Sequence, residues 1–79
     1  MSENNSFLWI KGEKSEVARA AGIELRELTD FLAGRKQRFS VKRAQRLEAA
    51  TLSVLGASRR ISVSVWLRVE DHPILRRGA

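Results

Sequence analysis

Gly22 stands where two short amphipathic segments meet, and that junction limits the chain more than any other feature. Ala18 lies one helical turn before it and Ile23 directly after it. A tight turn between two helices crossing steeply needs a residue that takes positive φ without a Cβ clash, which is glycine's property. The small side chain of Ala18 lets the second helix come close to the first. Ile23, Leu28, Phe31 and Leu32 follow at offsets that place them on one side of that second helix, as an apolar stripe to pin it down. The stretch from Val17 to Gly34 is therefore the unit around which the rest must pack.

The flanking chain reads as further short helices. Asn5 or Ser6 can cap a first helix through Phe7, Leu8, Trp9 and Ile10, ended by Gly12. The next begins near Lys14 or Ser15 and buries Val17, Ala18 and Ala21. After the turn, a third helix runs from about Glu24 to Ala33 and stops at Gly34. A basic loop, GRKQRF, leads to Ser40, an N-cap for a fourth helix over about residues 40–55. That helix has Val41, Ala44, Leu47, Thr51 and Val54 or Leu55 on its inner stripe and Gly56 as terminator. Seventy-nine residues form one domain, 1–79, with a motif at about 14–34 and a tail at about 60–79.

The tail changes period. ISVSVWLRV alternates Ile61, Val63, Val65, Leu67 and Val69 against Ser62, Ser64, Trp66, Arg68 and Glu70, with many β-branched residues. This predicts a C-terminal strand, with a short helix capped by Ser62 or Ser64 as the alternative. A strand with no second strand in the chain would need a partner from another copy, so the pattern predicts a homodimer joined through Ile61, Val63, Val65, Leu67 and Val69.

Charge is unevenly spread. The chain carries 15 Lys and Arg against nine acids, for a net charge of +6. Residues 1–34 hold four bases and six acids, whereas Arg35 to Arg46 holds six bases and no acid. A cluster of that kind immediately behind the turn motif is the electrostatic footprint of a polyanion ligand. There is no cysteine and a single histidine, His72, so no thiolate metal site, histidine cluster or catalytic triad can be assembled, and neither enzyme activity nor a cofactor is expected. FLWI is too short to span a membrane and too late for a signal sequence, which leaves the expectation of a cytoplasmic protein.

The pattern of Val17, Ala18, Gly22, Ile23, Leu28 and Phe31 with a basic loop behind it resembles the helix-turn-helix of the phage repressor and Cro superfamily, often labelled XRE. The resemblance covers about Lys14 to Gly56. It implies a mainly α, compact four-helix lambda-repressor-like domain and a small phage or prokaryotic repressor that binds an operator in double-stranded DNA as a homodimer. By position, it implies base contacts from Glu24, Leu25, Arg26, Thr29 and Asp30, with Ala33 on the same face. It implies phosphate contacts from Lys14, Arg35, Lys36, Arg38, Lys42 and Arg43, and the peptide N–H groups at the start of the helix near Lys14 can also bind a phosphate oxygen.

Arg26 is the strongest base reader, because a guanidinium can bond both O6 and N7 of guanine. Relatives often carry Gln, Ser, Asn or Arg where this chain has Glu24, Leu25 and Asp30, and Glu27 adds a third acid to the same helix. In the first turn, Glu24 and Glu27 also favour the helix dipole, and Glu27 can pair with a nearby base. The rival reading is a helix-turn-helix module that binds a protein partner, as an antitoxin, an inhibitor or a phage-type regulator; a third is an RNA binder that uses only the basic patch.

Overall fold

The computed structural model describes residues 9–75. They form four α-helices in chain order: α1 (Glu13–Ala21), α2 (Leu25–Leu32), α3 (Val41–Leu55) and α4 (Val63–Trp66). Short 3-10 turns at Ala57–Arg59 and Pro73–Leu75 follow α3 and α4. The domain is mainly helical, with no strand among the described residues. Among the described residues no helix is long and apolar enough to cross a membrane. The expected first helix lies mostly outside the described residues, and Trp9 and Ile10 belong to no regular element.

α1 and α2 take their lengths from local chemistry. Gly22 adopts φ 75° at the end of α1. There Ile23 N donates to the Ala18 carbonyl (3.0 Å) and Gly22 N to the Arg19 carbonyl (3.1 Å), closing the carbonyls that a helix end leaves open. α2 ends the same way at Gly34, φ 87°, with Arg35 N on the Asp30 carbonyl (2.8 Å) and Gly34 N on that of Phe31 (3.1 Å). Ser40 caps α3 as expected, its hydroxyl accepting from Arg43 N at 3.3 Å.

The core is built from Val17, Ala18 and Ala21 of α1, Leu28 and Phe31 of α2, Ala44, Leu47 and Ala50 of α3, and Ile23, Phe39, Ile61, Val65, Trp66 and Ile74. α1 packs chiefly on α3, and Leu32, Val54 and Leu55 border the core. Val41 departs from its expected inward place and is 57% exposed. Each step of three along a helix falls about 60° short of a full turn, so Val41 stands about 120° from Leu47 and faces water.

The tail corrects the strand expectation. Buried residues recur at Ile61, Val65 and Trp66, a helical spacing. Trp66, which strict alternation assigns to the polar side, is fully buried: its ring lies 5.3 Å from Phe31 and 6.0 Å from Phe39, and its Nε1–H donates to the Ile61 carbonyl at 3.1 Å. A strand would send Val65 and Trp66 to opposite faces, whereas one turn of helix delivers both to the same core. β-Propensity yields here to tertiary packing. Of the five residues expected at a dimer interface, Ile61 and Val65 are sealed in their own core, Val63 and Leu67 pack against it, and Val69 alone stands out, 77% exposed.

Two polar devices close the bundle at the tail. The buried Thr51 hydroxyl accepts from Ile61 N at 3.0 Å and donates to the Glu48 carbonyl at 2.9 Å, which satisfies an amide that packing takes out of water. Glu13, at the start of α1, receives both Nη atoms of Arg59 at 2.9 Å and the Ile10 amide at 2.9 Å. The hydrogen bonds from Arg59 hold the Glu13 carboxyl below its ordinary pKa, and the same contact raises that of Arg59.

Candidate nucleic-acid interface

α2 buries Leu28 and Phe31 and turns its opposite side to solvent. At about 100° per residue, Arg26, Asp30 and Ala33 occupy the side facing away from the core, Leu25 and Thr29 lie on one flank and Glu27 on the other. Arg26 is exposed, and among the described residues it makes no ion pair. Glu24 is exposed at the N-cap position, where its side chain makes no capping bond. The Thr29 hydroxyl donates to the Arg26 carbonyl at 3.0 Å, so what it offers outward is lone pairs and a methyl group.

The acids of α2 are matched by bases from outside the helix. Asp30 Oδ1 accepts from Arg35 Nε at 3.0 Å and lies 3.0 Å from Arg35 Nη2. Glu27 Oε1 accepts from Arg43 Nη1 at 2.6 Å. Asp30–Arg35 spans the α2 C-terminal turn, and Glu27–Arg43 joins α2 to the first turn of α3. In both pairs the side chains are partly exposed, 67% and 34% for Arg35 and Asp30. Pairs so wet contribute about 0–1 kcal/mol to the fold, so removing either carboxylate frees its arginine at little cost in stability.

The remaining expected phosphate contacts surround this face. Lys36 Nζ sits 5.0 Å from the centre of the Phe39 ring, a weak contact that leaves the ammonium near the surface. Arg38 and Lys42 are exposed and, among the described residues, make no ion pair. On the other flank, Lys14 joins Ser15, Leu25 and Thr29 in lining a groove of about 320 Å³ that also touches Trp9 and Ile10. The structure therefore brings Lys14 to the Leu25 and Thr29 side of α2, and Arg43 to the Glu27 side.

Two arginines here escape a reading of the sequence. Arg46 lies against the α1–α2 turn: a Cβ placed on Gly22 would meet its Nη1 at 3.8 Å, an ordinary contact, so the turn requires glycine for its φ and not for space. Helical periodicity from Ser40 puts Arg46 near Arg43 but cannot show that both reach the turn motif. The other is Arg68. Its Nη2 donates to the Phe31 carbonyl at 2.7 Å and the Lys36 carbonyl at 3.2 Å, its Nε donates to the Gln37 carbonyl, and its guanidinium lies 4.3 Å from the centre of the Phe31 ring. No local pattern around Arg68 signals contacts more than thirty residues away in the chain.

Comparison with known proteins finds no matching family model, no similar curated protein and no similar solved structure.

Proposed function

We propose that the protein is a sequence-specific double-stranded DNA-binding regulator, a small repressor of the helix-turn-helix kind that the segment Lys14 to Gly56 resembles. The observation that carries this reading is the composition of the α2 face. A solvent-facing helix with an uncommitted Arg26 has two of its acids paired to Arg35 and Arg43, and Lys14, Lys36, Arg38 and Lys42 stand around it. Taken by itself, the acidity of α2 argues against a phosphate surface. With those two carboxylates engaged, the face carries a guanidinium at its centre and cations at its margins.

In this reading α2 enters the major groove and α1 crosses the backbone. Lys36 and Arg38 of the loop and Lys42 at the start of α3 hold phosphates and give affinity without sequence information. Arg26 reads guanine, and Leu25 and Thr29 meet thymine methyl groups or base edges. Glu24, and Asp30 when released from Arg35, accept from a cytosine amino group. Because the tail is packed within its own chain, a homodimer enters the proposal as two copies side by side on an inverted repeat, with half-sites about one helical turn apart.

The test is titration of operator and unrelated duplexes at several salt concentrations. Arg26→Ala is expected to lower the affinity ratio between them, whereas Lys36→Ala weakens all sequences alike. Equal loss of discrimination from both variants, or no binding to any duplex at low salt, refutes the assignment. One observation favours the rival protein-binding reading: Ile10, 63% exposed, and Leu25, 42% exposed, line the groove beside α2. Binding driven by that apolar groove would survive added salt, which separates the two readings.

A further inference from the structure

We propose that Arg68 is a positioning residue for DNA binding: it clamps the loop that carries Arg35, Lys36 and Arg38 by gathering that loop's carbonyls onto one guanidinium. This rests on the DNA-binding reading for its consequence, and on geometry alone for the clamp.

The first observation is backbone strain. α1, α2 and α4 end in the same pattern of two crossing hydrogen bonds. At α4, Val69 N donates to the Ser64 carbonyl at 2.8 Å and Arg68 N to the Val65 carbonyl at 3.0 Å. The residue between those bonds must take the left-handed conformation, and at α1 and α2 it is glycine. At α4 it is Arg68, φ 59°, the one non-glycine residue with positive φ among the described residues. If this position served only to end a helix, glycine would serve it better. A side chain held there against its preference points to work done by the side chain.

The second observation is where that side chain goes. Its three carbonyl partners belong to Phe31 in the last turn of α2 and to Lys36 and Gln37 in the loop, with the guanidinium stacked against the Phe31 ring. The Phe31 carbonyl also accepts from Gly34 N, so both of its acceptor sites are filled. A planar fork of N–H donors can hold several carbonyls at once, which an ammonium cannot do in the same geometry. Phe39 N donates to the Trp66 carbonyl at 3.3 Å and anchors the far end of the loop to α4. The loop is thus held from the tail at two places, and Arg68 is the one that reaches its middle.

The third is charge. The C-terminal end of α2 presents the negative pole of its helix dipole beside the cluster that would meet phosphates. The Arg68 guanidinium bonds the Phe31 carbonyl at that end and sets a positive charge against a field that would otherwise repel the backbone of DNA.

The experiment uses the full chain with Arg68→Gly and Arg68→Lys. Three quantities are read: thermal unfolding, amide hydrogen exchange at Arg35, Lys36 and Phe39 in the free protein, and anisotropy with a labelled 20-bp duplex. Arg68→Gly is expected to keep the unfolding temperature, because it relieves strain, while loop amides exchange faster. Duplex binding should weaken about tenfold and by the same factor for every sequence, the size expected when charge-assisted bonds holding a loop are lost. Arg68→Lys retains charge without the fork and should fall between the two. Wild-type exchange and wild-type affinity in Arg68→Gly overturn the proposal. If the wild-type protein binds no duplex, the DNA reading falls, and the exchange comparison still decides the clamp: faster loop exchange upholds it and unchanged exchange overturns it.

Discussion

On the proposed DNA-binding reading, Asp30→Asn is expected to tighten binding to a duplex and to steepen its dependence on salt. Each phosphate neutralised contributes about 0.9 to the slope of log K against log salt. Six bases were expected to contact phosphate, but Arg35 and Arg43 are engaged by Asp30 and Glu27, leaving Lys14, Lys36, Arg38 and Lys42 uncommitted. Four contacts give a slope of about −3.6. Releasing Arg35 adds one and brings it to about −4.5. Removing a carboxylate several ångströms from the phosphates adds about 0.5 kcal/mol in a medium like water, or two- to threefold. Over the fourfold fall in salt from 200 to 50 mM the extra contact multiplies the variant's advantage by about 3.5, on top of that two- to threefold effect of charge. Fluorescence anisotropy with a labelled non-specific 20-bp duplex between those concentrations measures both quantities. Glu48→Gln is the control: its partner is Arg60, at 3.4 Å, outside the proposed surface, and the slope should not move. A slope for Asp30→Asn no steeper than that of the wild type would show that Asp30 does not withhold Arg35 from phosphate.

Two further outcomes follow from the tail. Trp66→Ala should cost about 3–5 kcal/mol in urea unfolding, and Trp66→Phe, which loses the bond to the Ile61 carbonyl but keeps a ring, about 1–2 kcal/mol; a loss under 1 kcal/mol for the alanine variant would put the tail outside the core. Burial pushes His72 below its ordinary pKa, against the opposing pull of Glu70 and Asp71, and its Nδ1 accepts from Ile74 N at 3.2 Å, which only the unprotonated nitrogen can do. The unfolded chain therefore takes up the proton first, so the contribution of His72 is present above about pH 6.5 and fades as pH falls below it. An NMR titration should place its midpoint below 6.5, with faster Ile74 exchange at pH 5 after correction for the intrinsic rate, and a midpoint at or above 6.5 would contradict the burial.

What was legible in the sequence was local. Gly22, Gly34 and Ser40 act through bonds to residues within five positions, and the stripe of Val17, Ala18, Ala21, Leu28 and Phe31 repeats with a period that only a helix satisfies. The tail was not legible in this way, because its β-branched alternation fits a strand and its true environment is set by Phe31 and Phe39, far away in the chain. For the candidate site, the acids of α2 could be read but not which of them would be neutralised. Asp30 meets Arg35 only because the turn at Gly34 folds the chain back, five residues on and off the helical spacing of three or four. Glu27 has a base partner as expected, yet only the packing of α3 on the bundle selects Arg43 from the six available. Arg68 has no local signature at all.

The aromatic trio of Phe31, Phe39 and Trp66 bears on how such a domain can be cut and rejoined. The turn motif and the helix behind it end at Gly56, but the ring that covers Phe31 and Phe39 comes from beyond it. A fragment stopped at Gly56 would present two large rings to water and lose Ile61, Val65 and Ile74 from its interior. The part legible as a unit in the sequence is therefore smaller than the part that closes its core. A graft that moves α2 and its loop into another host must carry residues 57–75 with them or supply an equivalent aromatic lid, and the outer face of α2 is more safely altered by replacing single residues in place.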